Sequence, residues 1–374
     1  MTRIIQLGAS FTPFDAMSTH TFKLTEAMED AGFEVEMYAN AIGLGLEKKV
    51  KHINQLSPKK LKESLVIYQC GAWSEVANIL LENITSVNRP SGQNILGMPN
   101  NKLIVDYHNL TPGYFFAKWQ PEFSIALSEA RNQVRNLADV TQLAIAKSNY
   151  SNKELEEFNF KDTKVIPLLY DEAQLGKIAP DSQVLDELKS TPNTKWLFVG
   201  RSSPQKRHDI LIHAFWYYKQ LFDTNAELYL VGGGYTPEYE EGVDELIVKS
   251  GLARDIHKMG SVSDSELQAY YKGCDVYVSS SQHEGFCSPL VEAMFHGLPI
   301  VAHKHAAIPD TLGDAGLCIE GERPDQLAAG VWEILHNDIL QKTCETNAVE
   351  RLEKFSIDRT VDEYIKTIKG VISK

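Results

Sequence analysis

The stretch Ser279–Ile300, SSSQHEGFCSPLVEAMFHGLPI, decides how the rest of this 374-residue chain is read. A strand-like run, Asp275 to Ser280 (DVYVSS), leads into it. Ser288 is a favourable helix N-cap and Pro289 a favourable first helical residue, so the sequence predicts a helix starting there. The first N–H groups of a helix lack intrahelical partners and lie at the positive end of its dipole, which suits a phosphate. Glu284 precedes that helix and Glu292 falls at its fourth position, so the two carboxylates flank the anion site rather than fill it. Carboxylates accept hydrogen bonds from sugar and ribose hydroxyls. A nucleotide diphosphate sugar would satisfy the helix end and both acids at once. Spacing alone is met equally by a loop, a capped helix and two solvated glutamates.

The wider run EGFCSPLVEAMFHGLPIVA resembles the E-x7-E signature of retaining glycosyltransferases of family 4, which have the GT-B fold. In that family the motif is similarly followed by a helix, a small-residue turn (here Gly297-Leu298-Pro299) and a strand (Ile300 to Ala302). The resemblance implies an α/β chain of two facing Rossmann-like, doubly wound domains with a deep cleft that closes on the donor. It further implies that Glu284 contacts the donor sugar hydroxyls and Glu292 the ribose.

Length allows two ordinary domains. The composition is globular, 43% hydrophobic and 23% charged, and no apolar run approaches the roughly 18 residues a bilayer crossing needs. The start, MTRIIQLGASF, has the look of a first strand and lacks the apolar stretch of a secretory signal, so a cytoplasmic protein is expected, with the inner face of the membrane as an alternative. A net charge of −13 argues against nucleic acid as a partner. Residues 1–180 carry 18 Lys+Arg against 20 Asp+Glu, and residues 181–374 carry 19 against 30, so an anionic membrane or acceptor would meet the front half. Five scattered cysteines with no C-x-x-C pair fit a reducing compartment.

In the front half, a strand ending at Ser10, a helix over Ser18–Ala31 and a strand over Phe33–Ala39 open a doubly wound sheet. The first loop carries Phe14-Asp15-Ala16-Met17 where the family usually has paired glycines, so no glycine role transfers; Asp15 is retained as a substrate-binding candidate. Six lysines between Lys48 and Lys62 could touch an anionic bilayer or a phosphorylated acceptor, although a solvated face is the simpler account. Strand Leu65–Gln69 and helix Glu75–Asn83 follow. Leu103–Asp106 reads as a buried strand that delivers His108 to its C-terminal end, where open parallel sheets bind ligands. A lone histidine is commonly structural. The segment YHNLTP, however, resembles the family's strand-end histidine segment in enzymes of bacterial surface polysaccharide synthesis, which implies that His108 faces the donor sugar and leaving diphosphate. Ala144–Ser148 and Val165–Leu168 complete the front sheet.

Asp171–Asn193 reads as a polar connection. Strand Lys195–Val199 then ends in Gly200-Arg201-Ser202-Ser203-Pro204-Gln205-Lys206, placing a guanidinium and an ammonium at the mouth of a sheet, a pairing suited to a diphosphate. VGRSSPQKR resembles the family's VGR-x4-KG loop, in which the Arg and Lys hold the pyrophosphate; here Arg207 replaces the glycine. Gly232-Gly233-Gly234 does not make a dinucleotide fingerprint, because the third glycine position is Pro237. Gly234, and Gly260 in a segment resembling the family's F-x-G-x-V-S turn, are expected to let backbone approach the base. His303 and His305 lack a third converging ligand, so no metal site is expected. Helices are read over Leu327–Leu335, Ile339–Phe355 and Asp358–Ile372.

The resulting expectation is an acceptor-side domain over residues 1–172, with helix 357–374 folding back on it, and a nucleotide-sugar domain over residues 173–356. The catalytic candidates are His108, Arg201, Lys206 and Glu284. The substrate-binding candidates are Asp15, Gly234, Gly260, Gly285, Phe286, Cys287, Ser288 and Glu292. The resemblance implies a metal-independent, cofactor-free hexosyltransferase using a UDP- or GDP-sugar and a glycan, lipid-linked glycan or small-molecule acceptor. A nucleotide-sugar epimerase and a non-catalytic sugar-nucleotide-binding protein stay open as alternatives.

Overall fold

A computed structural model describes residues 2–13, 15–85 and 103–373, so Phe14 of the first loop lies outside the described residues. The chain divides into two compact units, Met1–Tyr170 with Phe355–Lys374, and Asp171–Lys354. In the first unit the order is β1 (Arg3–Phe11), α1 (Ala16–Asp30), β2 (Glu34–Ile42), β3 (Val50–His52), α2 (Pro58–Lys62), β4 (Leu65–Cys70), α3 (Glu75–Thr85), β5 (Leu103–Tyr107), α4 (Pro121–Leu137), β6 (Leu143–Ala146), α5 (Asn149–Glu157) and β7 (Thr163–Val165). All pairs are parallel, in the order β3-β2-β1-β4-β5-β6-β7. A parallel sheet is covered on both faces, which is why its central strands read as unbroken apolar runs. Ile5, Leu7, Val66, Tyr68 and Val105 pack on one side, and Ile4, Leu65, Ile67, Ile104 and Ile145 on the other.

The second unit contains α6 (Glu172–Lys177), α7 (Ser182–Lys189), β8 (Lys195–Val199), α8 (His208–Leu221), β9 (Glu227–Val231), α9 (Pro237–Lys249), β10 (Ile256–Gly260), α10 (Asp264–Gly273), β11 (Val276–Ser279), α11 (Ser288–Phe295), β12 (Ile300–His303), α12 (Ile308–Leu312), β13 (Leu317–Ile319), α13 (Pro324–His336) and α14 (Asp338–Phe355). Its sheet is again parallel, ordered β10-β9-β8-β11-β12-β13. The chain winds outward from β8 in one direction, then restarts beside β8 with β11, so the ends of β8 and β11 form the topological switch point where such sheets bind ligands. Both sheets are of the Rossmann type.

The final helix, α15 (Ile357–Ser373), belongs to the first unit, where Tyr364, Ile368 and Val371 complete the second apolar layer. A polar knot pins it there. Lys147, just past β6, bonds both Asp106 of β5 and the Tyr364 hydroxyl. The Tyr364 hydroxyl also donates to Asp106 Oδ1 at 3.2 Å, and His20 Nε2 lies 3.0 Å from Asp106 Oδ2. All four residues are at most 2% exposed. Burial opposes the charge on Asp106, but Lys147 and His20 outweigh it and hold the carboxyl well below the usual range.

Two readings need correction, those of the polar connection and of the last strand of the first sheet. The lysine-rich segment, read as a solvated face, contains the edge strand β3 and the short helix α2, capped by Ser57 ahead of Pro58. Two of its lysines are already paired, Lys51 and Lys60 meeting Glu36 at 2.5 and 2.7 Å. The polar connection is largely helical as α6 and α7, the latter capped by Asp181. The last strand of the first sheet falls at Thr163–Val165, earlier than Val165–Leu168. Among the described residues no helix is long and apolar enough to cross a membrane.

Removing one member of a buried ion pair strands the other. Lys147→Met should therefore destabilise the first unit by about 3–5 kcal/mol, read by urea unfolding. A loss under about 1 kcal/mol would mean that Asp106 is not held by this ammonium.

Candidate active site

The site is assembled by two loops that leave the sheet at the switch point. After β8 the chain runs through Gly200 to Arg207, and after β11 it runs from Ser280 to Cys287. Backbone bonds join them: Gln282 N donates to Gln205 O at 2.8 Å, and the buried Ser280 hydroxyl lies 2.8 and 2.9 Å from the carbonyls of Lys206 and Arg207. That clamp brings Lys206 Nζ to 2.6 Å from Glu284 Oε1, with side chains only 15% and 11% exposed. Burial works against the Lys206 charge, yet Glu284 more than compensates and keeps its proton held above the usual range. Two sequence-predicted residues 78 positions apart thus form one ion pair.

Arg207 adopts the left-handed backbone (φ 54°, ψ 52°) for which glycine is the natural residue. The strain is offset by Asp209, which receives two guanidinium bonds at 2.9 and 2.8 Å, and by Glu322 at 3.1 Å. Arg201 is exposed, with its guanidinium over the Tyr235 ring, 5.8 Å from the centroid. Tyr235 had no sequence signal of its own.

Helix α11 begins one residue earlier than expected. Ser288 and Pro289 are its first residues, and the N-cap is Cys287, left-handed at φ 70° with no side-chain capping bond. The capping signal of Ser288 is overridden because the loop enters from a turn that Cys287 itself makes. Phe286, also buried, has its carbonyl bonded by the Thr311 hydroxyl, and Glu284 O accepts from Ala307 N at 3.3 Å, so α12 braces the turn. Burial, then the Glu284 charge, pushes the Cys287 thiol well above its usual range, which makes it packing rather than a nucleophile. Gly285 lies in the same turn. Glu292, one turn along α11, accepts from the Tyr271 hydroxyl at 2.8 Å. Burial raises its proton affinity against that hydrogen bond.

Beside this cluster a pocket of about 140 Å³ is lined by Gly200, Ser202, His208, Gly232, Gly234 and Gly260 among others, at the ends of β8, β9 and β10. Gly234 and Gly260 therefore line one cavity. Gly232 is indispensable to it: a Cβ there would lie 2.1 Å from the Gly200 carbonyl oxygen, at φ +141°. His208, unremarked in the sequence, is 2% exposed and held neutral by burial, with a pKa of about 4.

Two candidates lie in the first unit. Asp15 caps α1, its carboxylate accepting from Ser18 N at 3.0 Å. His108 follows β5 directly, with Nε2 2.6 Å from Gln69 Oε1. Among the described residues, His20, Asp106 and His108 cluster closely enough to suggest a metal. They do not suit one. His20 Nδ1 accepts from Leu169 N at 3.1 Å and Nε2 faces Asp106, so both nitrogens are engaged, and Lys147 already neutralises the carboxylate.

Residues 185–351, within the second unit, match the family model described as "Glycosyl transferases group 1". Two relatives align over less than half of the chain: the uncharacterized glycosyltransferase MJ1178 of Methanocaldococcus jannaschii, 30% identical over 44% of this chain, and O-antigen chain mannosyltransferase B of Escherichia coli, 26% identical over 46%. Each alignment spans 45% of the relative's own length. The uncharacterized glycosyltransferase MJ1069 of the same archaeon aligns end to end, at 23% identity over 99% of this chain and 98% of its own. Anabaena Alr3699/HepE, solved in complex with UDP and glucose, shares the fold with a TM-score of 0.76 at 19% identity, covering 99% of this chain and 100% of that one.

Two outcomes follow from this geometry. Gly232→Ala should lower the stability of the second unit by more than about 2 kcal/mol in chemical unfolding, since the Gly200 carbonyl must move; unchanged stability would contradict the close approach. His208 and the fully buried His303, both lowered to about 4, stay neutral in the fold while the unfolded chain takes up protons below its ordinary value near 6.5. Stability should thus fall as pH drops from 6.5 to 4, by up to about 3 kcal/mol per histidine. A flat profile across that window would show that these rings are not held neutral.

Proposed function

We propose that the protein is a cytoplasmic, metal-independent retaining glycosyltransferase that moves a hexose-type sugar from a UDP- or GDP-sugar to an acceptor hydroxyl in surface polysaccharide or glycoconjugate synthesis. The observation that carries this reading is the Lys206–Glu284 pair at the switch point, immediately before the N-terminus of α11. A diphosphate needs fixed cations and free amides, and a sugar needs carboxylates for its hydroxyls; this cluster offers both. In the free protein Glu284 answers the Lys206 charge. An arriving diphosphate would share that ammonium, leaving Glu284 free to accept from sugar hydroxyls.

The roles follow. Lys206, Arg201 and the amides at Cys287 and Ser288 stabilise negative charge on the departing phosphate oxygen as the bond from C1 to it breaks. The acceptor oxygen forms its bond to C1 on the same face and gives its proton to the leaving phosphate. Fixed cations supply the positive charge that a metal would otherwise bring to the leaving diphosphate. Glu292 accepts from the ribose, the pocket around Gly234 and Gly260 receives the base, and His108 contacts the substrate. The presence of UDP and glucose in the Anabaena relative, and of an O-antigen mannosyltransferase among the sequence relatives, supports a nucleotide-sugar donor and a glycan product.

The test is incubation with a panel of nucleotide sugars, with and without acceptor extracts, measuring free nucleoside diphosphate. Acceptor-dependent release is expected; interconversion of donors without acceptor would indicate an epimerase, and neither would indicate a binding protein. Lys206→Ala and Glu284→Ala should each abolish transfer, by roughly 100-fold or more, while circular dichroism stays native. Near-normal rates in either variant would refute these assignments.

A further inference from the structure

A neutral imidazole has one donor and one acceptor nitrogen, and which is which decides what it can offer a ligand. Burial, and then the Lys147 charge, drives the proton affinity of His108 well below the usual range against the pull of Asp106, so the ring is neutral. Its tautomer is set by a chain that begins at a backbone carbonyl. The Thr21 carbonyl can only accept, so the Gln6 atom 3.1 Å from it is the amide nitrogen. Thr25 Oγ1 holds the same orientation, 2.6 Å from Gln6 Nε2 and itself donating to the Thr21 carbonyl at 2.9 Å.

Gln6 Oε1 is thereby turned toward Gln69, whose Nε2 donates to it at 2.7 Å. Gln69 Oε1 remains as the acceptor 2.6 Å from His108 Nε2, which must carry the proton. Gln6 and Gln69 are 0% and 1% exposed, too deep for water to support a flipped amide. A second constraint agrees: Asp106 Oδ2 lies 3.9 Å from His108 Nε2, where a carboxylate favours an N–H and repels a lone pair. His108 Nδ1 has no hydrogen-bond partner among the described residues.

We propose that Gln6 and Gln69 are positioning residues for sugar transfer: they lock His108 in its Nε2–H tautomer, so that Nδ1 presents a lone pair to a substrate hydroxyl. The proposal rests on the reading of His108 as a substrate-contacting residue. Gln6 does not touch His108; it acts only by preventing the Gln69 amide from turning over. A merely structural role for Gln6 would not move the tautomer.

The test uses full-length protein carrying 15N-labelled histidine, with the His108 ring signals identified by their loss in His108→Gln. The wild type should show His108 as a single Nε2–H tautomer. Gln6→Met, close in volume, should introduce a second tautomer. Gln69→Leu should lower kcat about ten-fold with little change in donor KM, because a misoriented group loses transition-state contacts. An Nδ1–H tautomer in the wild type, an unchanged tautomer in Gln6→Met, or an unchanged kcat in Gln69→Leu would each overturn the proposal. Failure of the transferase reading would appear separately, as a wild-type protein that turns over no donor, and the ring spectra would still decide the tautomer.

Discussion

The contact on which the site depends is the ion pair between Lys206 and Glu284. It ties the loop after β8 to the loop after β11 across the point where the strand order of the sheet reverses. A buried pair adds little net stability, because desolvation consumes most of the attraction. Its value lies in geometry: the Lys206 ammonium and the Glu284 carboxylate are kept side by side in a largely buried place. A polar ligand that replaces one partner meets the other already oriented.

The surrounding structure reads as support for that arrangement. Ser280 clamps the Lys206 and Arg207 carbonyls, and Thr311 holds the Phe286 carbonyl. Arg207 and Cys287 take left-handed conformations that side chains normally avoid, one at each end of the assembly. Strain kept on both sides of a cluster of charge is a mark of a functional turn. In the first unit a comparable effort is spent on the end of β5, where Lys147, Tyr364, His20 and the two glutamines converge around Asp106 and His108. The last helix of the chain is part of that convergence through Tyr364, which explains why the C-terminal segment completes the unit that the N-terminus begins.

Much of the fold was legible because parallel strands announce themselves: LVIYQ, LIVDY, KWLFV and DVYVSS are apolar runs stopped by small or polar residues. The elements that escaped are short or polar. Strand β3 is three residues long at an edge, and α6 lies in a segment with weak periodicity. Of the site, the residue types and their place at strand ends could be read, since Glu284, Glu292, Arg201 and Lys206 stand in recognisable patterns. Their mutual contacts could not, because Lys206 meets Glu284 only once the sheet orders β8 beside β11. Partners such as Tyr271 for Glu292, or Gln69 for His108, carry no pattern; they are ordinary residues brought to these side chains by register and burial. Ser288 was misread as a cap for the same reason, since local propensity yields to the turn that the surrounding loops impose.

The most direct measurement is a crystal structure of the protein soaked with UDP or GDP. The account predicts phosphate oxygens within hydrogen-bond distance of Lys206 Nζ and the first amides of α11, with Glu284 released from Lys206. A nucleotide bound elsewhere, or a Lys206–Glu284 pair left undisturbed with the diphosphate outside it, would contradict the account.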